Sequence, residues 1–161
     1  MNLVLAARLH NRLETTETAI FLAGGISGCE NWQVEMTSLL NAGAPGLVTI
    51  NPRRADFNVA EKGITEVQIK WEHDHLRKSK AILFWFPSAT LCPITLYELG
   101  TWSALASVNP EGPRIFVGVD PKYLRKEDVL IQTGLILPQV HIVDNLKDLA
   151  KQVVDWYLQT Q

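Results

Sequence analysis

The feature that most constrains this fold is an alternation. Five short apolar runs, "AIFLAG" (19–24), "GLVTI" (46–50), "AILFWF" (81–86), "RIFVGV" (114–119) and "VHIV" (140–143), are separated by stretches with helical period. Short apolar runs bounded by polar residues read as buried strands. Between them, Trp32, Met36, Leu39 and Leu40 fall at i, i+4, i+7 and i+8, and Leu146, Leu149, Ala150, Val153 and Tyr157 share one face. The spacing predicts further helices over 64–79 and 93–107, with 123–135 another candidate. Strands that alternate with helices build βαβ units, and right-handed crossovers arrange those units as one sheet. The expected fold is therefore α/β: a single doubly wound parallel sheet of about five strands, of flavodoxin or Rossmann type. With no linker, repeat or low-complexity segment, residues 1–161 read as one domain. Residues 1–18 form an N-terminal extension, either an edge strand or an oligomer contact.

Composition narrows the partners. The 161 residues are 47% hydrophobic and 20% charged, the balance of a globular chain with a proper core. A formal net charge of −2 argues against binding nucleic acid by broad phosphate neutralisation. No apolar run approaches the roughly 20 residues that span a bilayer. The start, "MNLVLAARLHNRLE", lacks a basic lead and a small-residue cleavage site, so it reads as mature chain. Two cysteines, Cys29 and Cys92, make neither a disulfide framework nor a metal cluster, and the expectation is reduced thiols in a cytoplasmic protein.

In a doubly wound sheet, ligands bind beyond the carboxyl ends of the strands. Three loops fall there: "GGISGCE" after the first apolar run, "NPRR" after the second and "PSATLCPITLYE" after the third. The last holds Glu98, the only Asp, Glu, Lys or Arg between Lys80 and Glu111. An isolated carboxylate among apolar residues is expensive unless it is paired, neutralised or used. Two readings stay open. Thr95 to Glu98 fits a capping box, or Pro93 opens the helix and leaves Glu98 inside its first two turns, where the helix dipole favours the ionised form. In an apolar pocket such a carboxylate is a good nucleophile for an electron-poor sugar carbon.

The remaining motifs are weaker alone. "AGGISG" is one residue short of the dinucleotide fingerprint, and Ser27 to Glu30 fits a capping box; still, Gly24 and Gly25 let a ligand approach the backbone. In "NPRR", Arg53 and Arg54 could grip a phosphate or carboxylate, or one could pair with Asp56 in a solvated turn. On the 64–79 helix, Glu66 and Asp74 have lysines at i±4, whereas Glu72 has Gln68 and Leu76 there and no ion-pair explanation. "HDH" (73–75) does not converge on a metal, because i and i+2 positions diverge on a helix.

"FLAGGISG", "NPRR", "WE" followed by "L", "ILFWFP" and "ITLYELG", in this order and spacing, resemble the nucleoside 2-deoxyribosyltransferase-like proteins from about Ala19 to about Val119. The resemblance implies a flavodoxin-like sheet and a double displacement. The Glu of "ELG", here Glu98, attacks the anomeric carbon of a 2-deoxynucleoside, and a second base then attacks the covalent intermediate. The family's second acid, on the helix before the third strand, falls on Glu72, which would contact the base and handle its proton; Asp74 is the lesser alternative. Where family transferases often carry a further acid ahead of the nucleophile, this chain has Cys92 and Thr95. The resemblance also implies a homo-oligomer that can complete its site with a neighbour's side chain.

The expected function is transfer of a 2-deoxyribosyl group between nucleobases. Glu98 and Glu72 carry the chemistry, and Gly24, Gly25, Ser27, Asn51, Arg53, Arg54 and Thr95 hold the substrate. Neither metal nor organic cofactor is called for. The competing readings are hydrolysis of deoxynucleoside 5′-monophosphates, with Ser27 and an arginine at the phosphate, and a non-catalytic nucleotide-binding domain on the same fold.

Overall fold

The computed structural model describes residues 4–6, 17–54 and 63–161. In chain order the elements are β1 (Val4–Ala6), β2 (Ala19–Gly24), α1 (Trp32–Gly43), β3 (Val48–Asn51), α2 (Ile64–Lys78), β4 (Ala81–Phe86), α3 (Pro93–Val108), β5 (Arg114–Val119), α4 (Lys126–Ile136) and α5 (Leu146–Gln159). The strands form one sheet in the order β1-β3-β2-β4-β5. Every pairing is parallel, and the register of the central pair places Gly24 beside Trp85. The doubly wound α/β expectation holds.

The side-chain alternation of β4 shows why its sequence is apolar throughout. Ile82, Phe84 and Phe86 pack in one core cluster with Leu76 of α2, Leu99 of α3 and Val129 of α4. Ala81, Leu83 and Trp85 face the other way, against Trp32, Met36 and Leu40 of α1 and Leu149 and Val153 of α5. A strand covered on both faces has no polar side to show. Among the described residues no helix is long and apolar enough to cross a membrane.

Two expectations change. The run 140–143 is not a fifth strand; it contributes one parallel bridge, Val143 to Gly118, through Val119 N–H to Val143 O (2.9 Å) and Val143 N–H to Val117 O (3.2 Å). Pro138 lies within a turn closed by Val140 N–H to Leu137 O, and Asn145 already caps α5, so little length is left for pairing. The fifth strand is instead β1, whose Val4–Ala6 pairs with β3 at the opposite edge of the sheet. The capping box at Ser27–Glu30 also fails: these residues lie in a turn, and α1 starts at Trp32 without a side-chain cap.

The strand order exposes the switch point. From β2 the chain crosses to β3 on one side, then returns past β2 to reach β4 on the other. The loops after β2 and β4 therefore diverge and leave a crevice at their carboxyl ends. Because Phe84 is fully buried at the centre of this sheet, Phe84→Ala should lower unfolding stability by about 3–5 kcal/mol, measured by chemical denaturation.

Candidate active site

A cavity of about 510 Å³ opens at this crevice. Its wall comes from four places: Ala23 and Gly24 at the end of β2 with Gly25 to Ser27 after it, Pro52 and Arg54 after β3, Thr65, Gln68 and Glu72 along α2, and Thr90 and Cys92 to Thr95 with Glu98 at the start of α3. Gly25 lets two of these walls meet. A Cβ there would lie 2.8 Å from Pro87 Cγ and 3.0 Å from both Cys92 Sγ and Thr90 Cγ2.

The start of α3 resolves the alternatives for Glu98. Cys92 holds the N-cap position and Pro93 the first turn, so the Thr95–Glu98 capping box is not formed. Cys92 has φ 48°, the left-handed region, and its Sγ–H reaches back to Thr90 O. Tyr123 Oη–H donates to Leu91 O at 2.7 Å and ties the same loop to the segment after β5. Glu98 then projects from the second turn into the cavity, half-buried and without a hydrogen-bond or ion-pair partner among the described residues. Burial pushes its carboxyl from the ordinary 4.5 up to about 8, with the charge of Glu72 adding to the shift.

Glu72 is the second carboxyl in the cavity. Burial raises its pKa, and a hydrogen bond from Gln68 opposes the rise. Gln68 Nε2 donates to Glu72 Oε1 at 2.7 Å and to Pro52 O at 3.1 Å, which locks the acid to the loop after β3. The uncharged i−4 neighbour is thus the partner of Glu72, a role that a search for opposite charges passes over. On the same helix Glu66 pairs with Lys70 at the surface, and Asp74 is exposed and absent from the cavity wall.

The "NPRR" loop divides its two arginines. Arg54 lines the cavity. Arg53 turns into the preceding loop, where Nε donates to Gln33 Oε1 at 3.0 Å and Nη2 donates to Glu30 O at 3.1 Å. Asn51 Oδ1 accepts from the Arg53 backbone N–H at 2.9 Å. Trp32 Nε1–H and Gln33 Nε2–H both point at Gly25 O, so the glycine loop is held from behind. Gly24, Gly25, Ser27, Arg54, Glu72, Thr95 and Glu98 share the cavity, whereas Asn51 and Arg53 stand behind it. The suggested pairing of an arginine with Asp56 lies outside the described residues. Cys92 lines the cavity as a thiol, its pKa pushed up to about 11 by burial and by Cys29.

A broader groove between α2 and α3, about 860 Å³, also takes in Glu72 and Glu98 and is lined by the exposed Ile69, Ile94, Tyr97 and Leu105. The carboxyl pair is therefore open on two sides. No cluster of metal-ligating side chains occurs among the described residues.

The raised carboxyl gives a stability test. An acid whose folded-state pKa lies above its unfolded value contributes stability at low pH and loses it as pH rises through the folded pKa. Replacing Glu98 by neutral Gln should thus leave the melting temperature unchanged near pH 4. It should raise it progressively relative to wild type up to about pH 8, the range set by the shift from 4.5.

The comparison with known proteins agrees with this geometry. No curated protein matches the chain. The family model described as nucleoside 2-deoxyribosyltransferase like matches residues 17–109. That span starts just before β2 and ends just after α3, so it contains all four walls of the cavity. More than half of the chain is covered, and the protein belongs to the nucleoside 2-deoxyribosyltransferase-like family.

Proposed function

We propose that this protein is a cytoplasmic enzyme that moves the 2-deoxyribosyl group of a nucleoside from one base to another through an ester on Glu98. The observation that carries this reading is the pair of carboxyls, Glu98 and Glu72, in one cavity at the switch point, with Glu98 isolated from any cation or donor among the described residues.

The proton inventory fits such a reaction. With its pKa at about 8, Glu98 holds a proton in the free protein at neutral pH. When the nucleoside is bound, that proton passes by way of Glu72 to a ring nitrogen of the base. A Glu98 oxygen forms a bond to C1′ as the C1′–N bond breaks. The electron pair of the broken bond stays on the base, which leaves neutral with the proton. An acceptor base reverses each step: its nitrogen attacks C1′, its proton returns through Glu72, and Glu98 is released as the acid. Two displacements at C1′ give net retention. The chain's own carboxyls supply all charge and proton handling in this scheme. Thr95 and the glycine loop at Gly24–Gly25 hold the sugar, and Asn51 and Arg53 keep that loop in place.

Ser27 and Arg54 favour a second reading in which the substrate carries a 5′-phosphate and water is the acceptor. A hydroxyl, a guanidinium and a glycine-rich turn in one cavity suit an anion. The family resemblance also implies a homo-oligomer, testable by the protein's mass in solution by light scattering.

Deoxynucleosides and their 5′-monophosphates, each incubated with and without a second free base and resolved by chromatography, test both readings. A new nucleoside that forms only with the acceptor shows transfer; free base with deoxyribose or its phosphate shows hydrolysis. Glu98→Gln should lower either rate about a thousandfold or more, and Glu72→Gln about 10²–10⁴-fold. The wild-type rate should fall as pH rises through about 8, where Glu98 loses its proton. Equal inactivity of wild type and Glu98→Gln across the panel would point to a binding protein instead.

A further inference from the structure

We propose that Gln68 makes the cavity select bases with an exocyclic amino group beside the ring nitrogen that receives the proton. The inference deepens the reading above and rests on it. Gln68 Nε2 lies 3.1 Å from Pro52 O and 2.7 Å from Glu72 Oε1. A backbone carbonyl can only accept, so the atom facing Pro52 must be the amide nitrogen and the side chain cannot be flipped. Its two hydrogens are then both committed, one to each partner. The polar atom that Gln68 can still offer a ligand in the cavity is Oε1, an acceptor alone.

Glu72 stands one turn away on the same face of α2, with one oxygen held by Gln68 and the other left to carry the proton. Together the two side chains present an acceptor next to a proton donor. The other ionisable groups of this cavity are Glu98 on α3, Arg54 after β3 and Cys92 before α3.

Adenine complements the pattern: its N6 amino group donates to Gln68 Oε1 while N7 takes the proton from Glu72. Cytosine does so through its N4 amino group and N3. Hypoxanthine and guanine place O6, and uracil and thymine place O4, where the amino group would be. Two acceptors then face each other, and a buried acceptor left without a donor is costly. The selection acts on amino against oxo, whether the base is a purine or a pyrimidine.

Deoxyadenosine against deoxyinosine, and deoxycytidine against deoxyuridine, isolate this difference. For wild type the expected kcat/KM is about tenfold or more higher for the amino member of each pair. Gln68→Met keeps the length of the side chain but removes the acceptor, and should collapse both ratios to near one, even if it slows every substrate. A residue with only a structural role would slow all four and leave the ratios unchanged. Equal rates for both members in wild type, or ratios that survive Gln68→Met, would overturn the proposal. If neither these nucleosides nor their 5′-monophosphates are cleaved, the catalytic reading fails, and calorimetric binding of the same four nucleosides and their 5′-monophosphates to wild type and Gln68→Met decides this one. Amino preference lost in the variant upholds it; equal or absent binding overturns it.

Discussion

A carboxyl group taken out of water keeps its proton unless something nearby replaces the lost hydration, and around Glu98 little does. No cation or hydrogen-bond donor among the described residues reaches it, and the nearest charge of consequence is another carboxylate, Glu72. The helix dipole at the start of α3 would favour ionisation, yet desolvation prevails and the pKa stands at about 8. Such an arrangement costs stability at neutral pH, which is the usual signature of a group kept for chemistry rather than for folding. Glu72 is raised in the same direction, because burial outweighs the hydrogen bond by which Gln68 returns part of the lost hydration. Burial thus holds both acids of the cavity above their ordinary pKa.

The fold brings this about with few parts. The switch between β2 and β4 opens the crevice, and the apolar faces of β4 fix α2 and α3 on one side of the sheet. Cys92 accepts a left-handed backbone, a strain of order 1–3 kcal/mol, so that α3 can begin at Pro93 directly beside the glycine loop. Tyr123 holds the strained loop by its carbonyl at Leu91. Arg53, Trp32 and Gln33 hold the glycine loop from the opposite side. The cavity walls are therefore braced by residues that the substrate need never touch.

Much of this was legible in the sequence, for physical reasons that differ by element. β2, β4 and β5 are covered on both faces, so their apolar runs stand out, and α1 and α5 carry a single apolar face each. "VHIV" has the same composition as a strand, but local turn and cap bonds at Leu137 and Asn145 override it, and no composition reveals that. The isolation of Glu98 was visible because charge is scarce in its neighbourhood, and Glu72 because it lacks an ion-pair partner on its helix. The different orientations of Arg53 and Arg54 were not visible, since adjacent loop residues of one type are told apart only by the backbone that carries them. Gln68 escaped notice because its partner, Pro52 O, is a backbone atom sixteen residues away in sequence.

The central claim is that Glu98 forms a bond to the sugar, and intact-protein mass spectrometry tests it most directly. The protein would be incubated with a panel of deoxynucleosides and their 5′-monophosphates, without acceptor base, quenched in acid and digested to locate any adduct. The account predicts an added deoxyribosyl or deoxyribosyl phosphate group on the peptide that contains Glu98, discharged by a free base and not formed by Glu98→Gln. Base release with no adduct on Glu98, at an undiminished rate in Glu98→Gln, would contradict it.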